Sequence, residues 1–190
     1  MNADKNALRR RMLAEQKALP DDYVLKAGEA MEQAVLSLAQ YRLARAVFLY
    51  LSMPKEPATS RILRHALESG REVYVPKCVN SREMLAVRLR SLAGLAPGRY
   101  GIPEPQSVEE SRTADSLDLI LVPCVCASQD GRRLGHGAGY YDRFLAGKAE
   151  NAVCLCFHRM LRDDIPVLGN DVRMPAVLTE RGMFVNQPPR

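Results

Sequence analysis

The first forty residues space their hydrophobic and polar side chains as helices do. Residues 4–18 favour a helix that ends before Pro20. The acidic pair Asp21 and Asp22 suits the first turn of a second helix, because the amino end of a helix attracts negative charge. The apolar side chains of this second helix recur on one face, at Val24, Met31, Val35 and Leu38. The pattern predicts two antiparallel helices.

The next segment changes to the apolar runs of buried strands. Residues 46–52 form a nearly continuous apolar run, which is typical of a strand covered on both faces. After a loop that contains two prolines, Thr59 is positioned to cap a helix over residues 60–69, and Gly70 can end it. Residues 71–76 then return as a strand. This order of strand, helix and strand predicts a βαβ unit.

The second half of the chain continues the series of strands. Residues 84–89 indicate another strand, and residues 91–105 indicate a loop punctuated by glycine and proline. Residues 117–128 form the most apolar strand, which runs into a glycine-rich turn and a short helix over residues 140–146. We therefore predict a three-layer α/β fold, in which a mostly parallel or mixed central sheet is flanked by helices on both faces.

The composition agrees with a soluble protein that has one core. With 47% hydrophobic and 26% charged residues, a chain of 190 residues can bury one substantial core. We expect residues 1–190 to form a single domain, with a tail over about residues 184–190 that could be flexible. The longest apolar runs fall short of the roughly 20 residues that cross a membrane. No secretory signal follows the basic residues near the amino terminus, so a cytoplasmic location is the expectation.

The net charge favours an anionic partner without identifying it. A formal charge of +5 is compatible with a nucleotide, a polyglutamate, a nucleic acid or a membrane surface. No zinc finger, aromatic-rich sheet motif or basic low-complexity tail accompanies the charge, which argues against nucleic acid. We therefore expect a small-molecule partner, with no nucleic acid and no membrane, while the oligomeric state stays open.

The five cysteines favour reduced thiols over a disulfide framework, because their number is odd and no export signal is visible. Four of them form two Cys-x-Cys pairs, Cys124 with Cys126 and Cys154 with Cys156. Structural zinc sites usually space their thiolates as C-x₂₋₄-C, and both pairs lie in runs patterned as strands. We predict that these thiols pack in the core.

Candidate chemistry concentrates in the glycine-rich turn over residues 130–142. Gly135, Gly137 and Gly139 alternate between a predicted buried strand and the start of a helix. Glycines let a backbone approach a ligand closely, and the unpaired N–H groups at a helix start attract phosphate. Arg132 and Arg133 add cations nearby. The turn matches neither the Walker nor the dinucleotide pattern, so a simple connector remains the alternative.

The run over residues 133–143, Arg-Leu-Gly-His-Gly-Ala-Gly-Tyr-Tyr-Asp-Arg, resembles the signature of the 5-formyltetrahydrofolate cyclo-ligase family. Shorter matches extend this resemblance across nearly the whole chain. They are Lys5-x-x-Leu8-Arg9, Glu56-x-x-Thr59, residues 100–105 (Tyr-Gly-Ile-Pro-Glu-Pro), residues 117–123, and Ile165-Pro166 followed by Asp171.

The resemblance implies a particular reaction and particular ligands. ATP would transfer its γ-phosphoryl group to the formyl oxygen of 5-formyltetrahydrofolate. N10 of the folate would then attack the activated carbon, and phosphate would leave to give 5,10-methenyltetrahydrofolate. Mg²⁺ would assist, and the folate could carry a polyglutamate tail.

Carried onto this sequence, the resemblance also implies four groups of site residues. The ATP-binding residues would be Lys5, Arg9, Arg133, Leu134, Gly135, His136, Gly137, Ala138, Gly139, Tyr140 and Tyr141. The folate-binding residues would be Leu51, Glu56, Tyr100, His136, Gly137, Ala138, Gly139 and Tyr140. Asp142 and Asp171 would hold Mg²⁺, which prefers hard carboxylate oxygens. The catalytic residues would be Arg133, Tyr140 and Asp142.

Structural explanations compete with some of these roles. Lys5 and Arg9 could belong to a solvated helix face, Glu56 to a surface loop, and Tyr100 could anchor a loop by packing on Pro103. Histidine side chains in general titrate near neutrality, yet the family carries different residues at position 136. We therefore interpret His136 as a ligand contact and not as a general base.

Two positions depart from the family pattern, and two other functions remain open. Met160 stands where a glutamine commonly precedes the Ile-Pro step, and Ala58 stands where an acidic residue often precedes Thr59. A sugar-phosphate or nucleotide-metabolising enzyme could use the glycine turn for a substrate phosphate. A catalytically silent module that binds ATP or folate is the other alternative, and the two departures are its only support in the sequence.

Overall fold

The computed structural model describes residues 2–98 and 101–186 of the chain. Helices account for most of the first third, and the later part is built mainly from strands. The helices are α1 (Asn2–Lys17), α2 (Asp21–Ser37), α3 (Ala39–Leu43), α4 (Ser60–Glu68) and α5 (Tyr140–Phe144). The strands are β1 (Ala46–Phe48), β2 (Glu72–Cys78), β3 (Met84–Leu89), β4 (Leu95–Pro97), β5 (Pro103–Pro105), β6 (Ser111–Arg112), β7 (Leu119–Pro123), β8 (Cys126–Ala127), β9 (Arg133–Leu134), β10 (Ala152–Leu155), β11 (Ala176–Thr179) and β12 (Gly182–Val185).

A central sheet of eight strands organises the described part of the chain. Its order is β12-β11-β10-β7-β1-β2-β3-β6. The five middle strands are parallel, and antiparallel β12 lies at one edge while β3 and β6 lie at the other. The predicted α/β class, the mixed central sheet and the βαβ unit made by β1, α4 and β2 are therefore confirmed.

The interior strands are apolar on both faces, as the sequence pattern indicated. In β1 and β7, Val47, Phe48 and Ile120 have no exposed surface. These strands pair in parallel, with Val47 opposite Leu119 and Phe48 opposite Ile120. Since parallel strands end at a common edge, the segments that follow β1 and β7 lie side by side.

The predicted strand over residues 46–52 is shorter than expected. The β1 ladder ends when Leu49 N donates to Tyr74 O at 2.9 Å. The chain then turns, because Thr59 Oγ1 donates to Tyr50 O and Tyr50 OH donates to Pro57 O, both at 2.6 Å. These bonds satisfy buried polar groups outside the sheet and fix the loop that carries Glu56.

The prediction of one strand over residues 117–128 is wrong, because the chain leaves the sheet after Pro123. Its continuation forms a separate hairpin in which β8 pairs with β9. Two other boundaries also differ from the prediction. The expected loop over residues 91–105 contains the β4-β5 hairpin, and α5 ends at Phe144. Local hydrophobicity cannot locate the break after Pro123, because residues 124–128 stay buried.

The residues near the carboxyl terminus of the chain differ from the flexible tail that the sequence suggested. Phe184 and Val185 belong to β12, which pairs with β11 along its whole length. The last strand therefore reaches into the segment that could have been flexible. The end of that segment, residues 187–190, lies outside the described residues.

The two ends of α4 are held in different ways. Gly70 ends the helix as predicted: with φ at +73°, it donates its N–H to Leu67 O at 3.2 Å, while Arg71 N donates to Ala66 O at 3.0 Å. Thr59 occupies the cap position at the start, but its hydroxyl bonds Tyr50 O instead. Glu32 Oε1 on α2 accepts a hydrogen bond from Arg61 N at 2.8 Å. A neighbouring helix therefore caps α4.

The cysteines of both Cys-x-Cys pairs are buried free thiols, as predicted. Cys124 Sγ donates to Leu155 O at 3.3 Å, which joins the chain after β7 to the end of β10. No helix in the described part of the chain has the length and apolar character needed to cross a membrane.

We predict that Glu32→Ala lowers the free energy of unfolding by about 0.5–2 kcal/mol, because the Arg61 N–H at the start of α4 loses its acceptor. Glu32→Gln keeps an oxygen in the same position and should retain most of that stability. Urea unfolding of both variants measures the difference. Equal losses in the two variants would show that the charge of Glu32, and not its hydrogen bond, stabilises α4.

Candidate active site

The site residues lie where the segments after β1 and β7 meet. The loop after β1 carries Leu51 and Glu56, and the hairpin after β7 leads into the glycine loop, which we define as residues 135–139. Leu51 is partly buried against the core, whereas Glu56 is 6% exposed. The surface-loop explanation for Glu56 is therefore wrong.

The glycine loop requires its glycines for both conformation and space. Gly137 has φ at +108°, and a Cβ atom there would lie 3.3 Å from Cζ of Arg9. Gly139 has φ at +68° and directly precedes α5. Because α5 has only five residues, its dipole is a weaker attraction for an anion than the sequence suggested. The positive charge at the loop comes mainly from arginine side chains.

Helix α1 lies against the loop through Lys5 and Arg9. Arg9 Nε donates to Gly135 O at 2.8 Å, so its guanidinium lies beside the loop backbone. Lys5 is 5% exposed, and its ammonium group forms an ion pair with Asp171. The one-turn spacing between Lys5 and Arg9 therefore directs both side chains to the same site, which the solvated-face explanation did not anticipate.

A buried ion pair holds the two ends of the loop. Arg133 Nη2 on β9 lies 2.9 Å from Asp142 Oδ1 on α5, and the two side chains are 3% and 18% exposed. The same Asp142 oxygen accepts a hydrogen bond from Val172 N at 3.2 Å. Asp142 therefore joins the loop to the segment that contains Asp171. Arg133 Nε is buried without a hydrogen-bond partner among the described residues.

A pocket beside this ion pair combines cations with an apolar wall. Asp130 lies 3.0 Å from Arg132 Nε and 3.5 Å from Arg173 Nη2, so it neutralises part of the charge. The residues that line the pocket are Arg132, Arg133, Ile165, Pro166, Val167, Asp171, Val172 and Arg173.

Glu56 and His136 face each other across the cleft between the two loops. Glu56 Oε1 lies 3.8 Å from His136 Nε2, and Glu56 Oε2 accepts a hydrogen bond from Met53 N at 2.8 Å. Burial raises the pKa of Glu56 to about 7. Burial lowers the pKa of His136, and the charges of Arg9 and Arg133 lower it further.

The remaining predicted residues have different surroundings. Tyr140 OH donates to Asn80 O at 2.8 Å, and Arg143 Cζ lies 5.5 Å from the centre of the Tyr140 ring. Ala138 O accepts a hydrogen bond from Arg143 Nη2 at 2.7 Å. Leu134 is fully buried in the core. Tyr100 lies outside the described residues.

Sequence reasoning missed Arg143 and Arg173 as parts of the site. Arg143 stabilises the loop from α5, and Arg173 lines the pocket next to Asp171. Arg143 ends the signature run and so was open to detection. No spacing or motif marked Arg173, because its position depends on how the chain after β10 returns to the loop.

A glycine loop surrounded by arginines, at the carboxyl edge of parallel strands, is an arrangement with which α/β enzymes bind phosphorylated ligands. Comparison with known sequences identifies the family. The sequence model of the 5-formyltetrahydrofolate cyclo-ligase family matches residues 1–180. The chain belongs to this family.

Known relatives align with this chain over most of their length. The chain is 32% identical to the 5-formyltetrahydrofolate cyclo-ligase of Saccharomyces cerevisiae, over 95% of this chain and 97% of the relative. The solved structure of 5,10-methenyltetrahydrofolate synthetase from Aquifex aeolicus superposes with a TM-score of 0.85 at 26% identity, covering 98% of this chain and 94% of that one. The Mycoplasma pneumoniae synthetase, at 20% identity and a TM-score of 0.74 over 93% of this chain and 99% of that one, shares the fold.

The pKa of Glu56 predicts how the stability of the fold depends on pH. Burial raises the pKa of Glu56 from 4.5 to about 7 on folding. The folded state therefore holds the Glu56 proton more tightly than the unfolded chain, and this contribution to stability is fully present below about pH 4.5 and is lost as the pH rises through about 7. Complete ionisation would remove up to about 3 kcal/mol. Glu56→Gln cannot ionise, so its free energy of unfolding should fall less than that of the wild type between about pH 5 and about pH 8. If the free energies of unfolding of the wild type and of Glu56→Gln, measured by urea unfolding, changed equally with pH, the raised pKa would not belong to Glu56.

Proposed function

We propose that this chain catalyses the ATP-dependent cyclisation of 5-formyltetrahydrofolate to 5,10-methenyltetrahydrofolate, with release of ADP and phosphate. One observation in particular carries the proposal: the glycine loop lies between Arg9 and Arg133, directly beside the buried Glu56. The site therefore combines positive charge for a polyphosphate with a buried acid for a neutral heterocycle. Membership of the cyclo-ligase family supports the same reaction.

In this proposal the nucleotide phosphates lie along residues 135–139. Glycines leave the loop backbone open to the phosphate oxygens, and Arg9 and Arg133 neutralise their charge. Lys5 neutralises Asp171 and can shift towards an arriving phosphate. The charge developed during phosphoryl transfer is spread over several oxygens, so the residues act mainly by positioning and by charge stabilisation.

The folate would bind beside the loop against Leu51 and Glu56, and the family resemblance adds Tyr100 to its contacts. Leu51 offers an apolar contact, Glu56 offers polar oxygens, and a tyrosine ring can stack on a heterocycle. Residues 136–140 would contact both substrates, which brings the formyl oxygen to the γ-phosphate. The formyl oxygen is then phosphorylated, N10 attacks the activated carbon, and phosphate departs with the former formyl oxygen.

The residues present fit Mg²⁺, which Asp142 and Asp171 would hold. Among the described residues, each carboxylate receives its hydrogen bonds on one oxygen, Asp142 Oδ1 and Asp171 Oδ2, so that the other oxygen remains for a ligand. Within residues 2–98 and 101–186, no cluster of three or more acidic, histidine or cysteine side chains is arranged to hold a metal. Two carboxylates supplemented by phosphate oxygens and water suit Mg²⁺. The ion would supply charge neutralisation at the transferred phosphoryl group.

The departures from the family pattern occur at packing positions. Met160 is 2% exposed, and Ala58 lies 3.8 Å from a Cβ atom built at Gly28 on α2. Neither observation favours a silent binding module, and no described contact favours a sugar phosphate over a nucleotide. A single domain, a cytoplasmic location and acceptance of polyglutamylated folates remain predictions.

The proposed reaction is tested by incubating the protein with 5-formyltetrahydrofolate, ATP and Mg²⁺ while following the near-ultraviolet absorbance of the methenyl product. We expect product formation that stops when ATP or Mg²⁺ is omitted, with one ADP released for each methenyl group. ADP release without folate would indicate a different phosphoryl acceptor. Absence of product above a control without protein would contradict the proposed function.

The glycine loop is tested by Gly137→Val, with Gly147→Val as its matched control. Both positions have positive φ, and a side chain there should cost about 1–3 kcal/mol of stability. Only Gly137 has Arg9 within 4 Å of an added Cβ, because nothing lies that close to Gly147. Gly137→Val should therefore lose the stabilisation by Mg-ATP seen in thermal unfolding, and about 10²–10³-fold in rate.

Gly147→Val should keep both the nucleotide-dependent stabilisation and the activity. A Gly137→Val protein that Mg-ATP stabilises as strongly as it stabilises the control would show that nucleotide binds elsewhere.

A further inference from the structure

Ring closure at the proposed site has to remove one proton from the folate. N10 carries a hydrogen before it attacks the activated carbon, and the methenyl product carries none there. The departing phosphate, in contrast, leaves with an additional negative charge and gains a proton. A group that accepts the first proton and supplies the second would serve both halves of the reaction.

Glu56 has the position of such a group. Its side chain is 4% exposed, and Met53 N already occupies one oxygen. The second oxygen has no hydrogen bond within the described residues and points towards His136 Nε2, 3.8 Å away. A closure of less than 1 Å would bring these two atoms within hydrogen-bond distance. The His136 side chain is 39% exposed and belongs to the loop proposed to hold phosphate.

The groups around this pair set its proton affinity. Glu56 faces the phenols of Tyr50 and Tyr141, whose pKa values are both raised by burial and by the nearby carboxylate. His136 faces Arg9 from α1 and Arg133 from β9, and both cations favour its neutral form. Burial holds the pKa of Glu56 at about 7. At neutral pH, the carboxylate is therefore a stronger base than an exposed one, while the imidazolium readily releases a proton.

We propose that Glu56 accepts the N10 proton and that His136 relays this proton to the departing phosphate. The inference rests on the proposed function and assigns the proton transfer within it. The N10 lone pair forms the bond to carbon. Glu56 Oε1 then takes the N10 proton, and the electrons of the N–H bond stay on nitrogen. The carbon–oxygen bond then breaks with its electrons on phosphate. His136 Nε2 receives the proton from Glu56, and the imidazolium protonates a phosphate oxygen, which restores both side chains.

The first arm of the test compares Glu56→Gln with the wild type across pH. The amide keeps the shape and a hydrogen-bonding oxygen but cannot accept the proton. We expect kcat to fall about 10²–10⁴-fold, with a much smaller change in the folate KM. The wild-type rate should rise with pH through about 7, the pKa of Glu56, and this rise should be missing in Glu56→Gln. Glu56→Asp should retain the rise and part of the rate.

The second arm uses His136→Ala and free imidazole. The half-exposed ring leaves a space open to the cleft, so added imidazole should restore part of the lost kcat in His136→Ala and have no effect on the wild type or on Glu56→Gln. A purely structural role of His136 would give no such rescue. Cooperative thermal unfolding of each variant confirms that it is folded.

The outcomes separate the relay from the proposed function. Wild-type kcat and an unchanged pH profile in Glu56→Gln, or no rescue of His136→Ala by imidazole, would overturn the relay while the wild type still forms methenyltetrahydrofolate. A wild-type protein that forms no methenyl product at any pH would overturn the proposed function itself.

Discussion

The ion pair between Arg133 and Asp142 is the interaction on which the arrangement of the site depends. A guanidinium with 3% of its side chain exposed requires a nearby carboxylate, and removal of either partner from a buried pair costs about 3–5 kcal/mol. The pair joins β9 to α5 across the glycine loop, so it fixes both ends of residues 135–139. Because Asp142 also accepts the N–H of Val172, the same carboxylate positions Asp171.

Two cations of the site are already paired with carboxylates before any ligand binds. Arg133 is paired with Asp142, Lys5 is paired with Asp171, and Arg9 is held by the carbonyl of Gly135. The formal charge of +5 is therefore not concentrated there as unpaired cations. In the proposed reaction, a polyphosphate would draw Lys5 away from Asp171, and the second oxygen of each aspartate would be left for Mg²⁺. Preformed pairs of this kind keep the charged side chains ordered in the absence of substrate.

The fold class and the position of the glycine loop could be predicted from the sequence, because they depend on local patterns. Continuous apolar runs revealed β1 and β7, and the glycine spacing revealed the loop. The missed features depend on contacts between distant segments. Glu32 caps α4 from another helix, and the chain leaves the sheet after Pro123 although the residues beyond it remain apolar. The proximity of Glu56 to His136, 80 positions later, also follows only from the pairing of β1 with β7.

The central claim is that phosphate leaves with the formyl oxygen of the folate, since the site would activate that oxygen by phosphorylation. The most direct measurement uses 5-formyltetrahydrofolate labelled with ¹⁸O in the formyl group and analyses the inorganic phosphate by mass spectrometry after turnover. The account predicts one ¹⁸O atom in each phosphate released. Unlabelled phosphate, with the ¹⁸O recovered in water, would contradict activation of the formyl oxygen and show that ATP hydrolysis and ring closure are separate events.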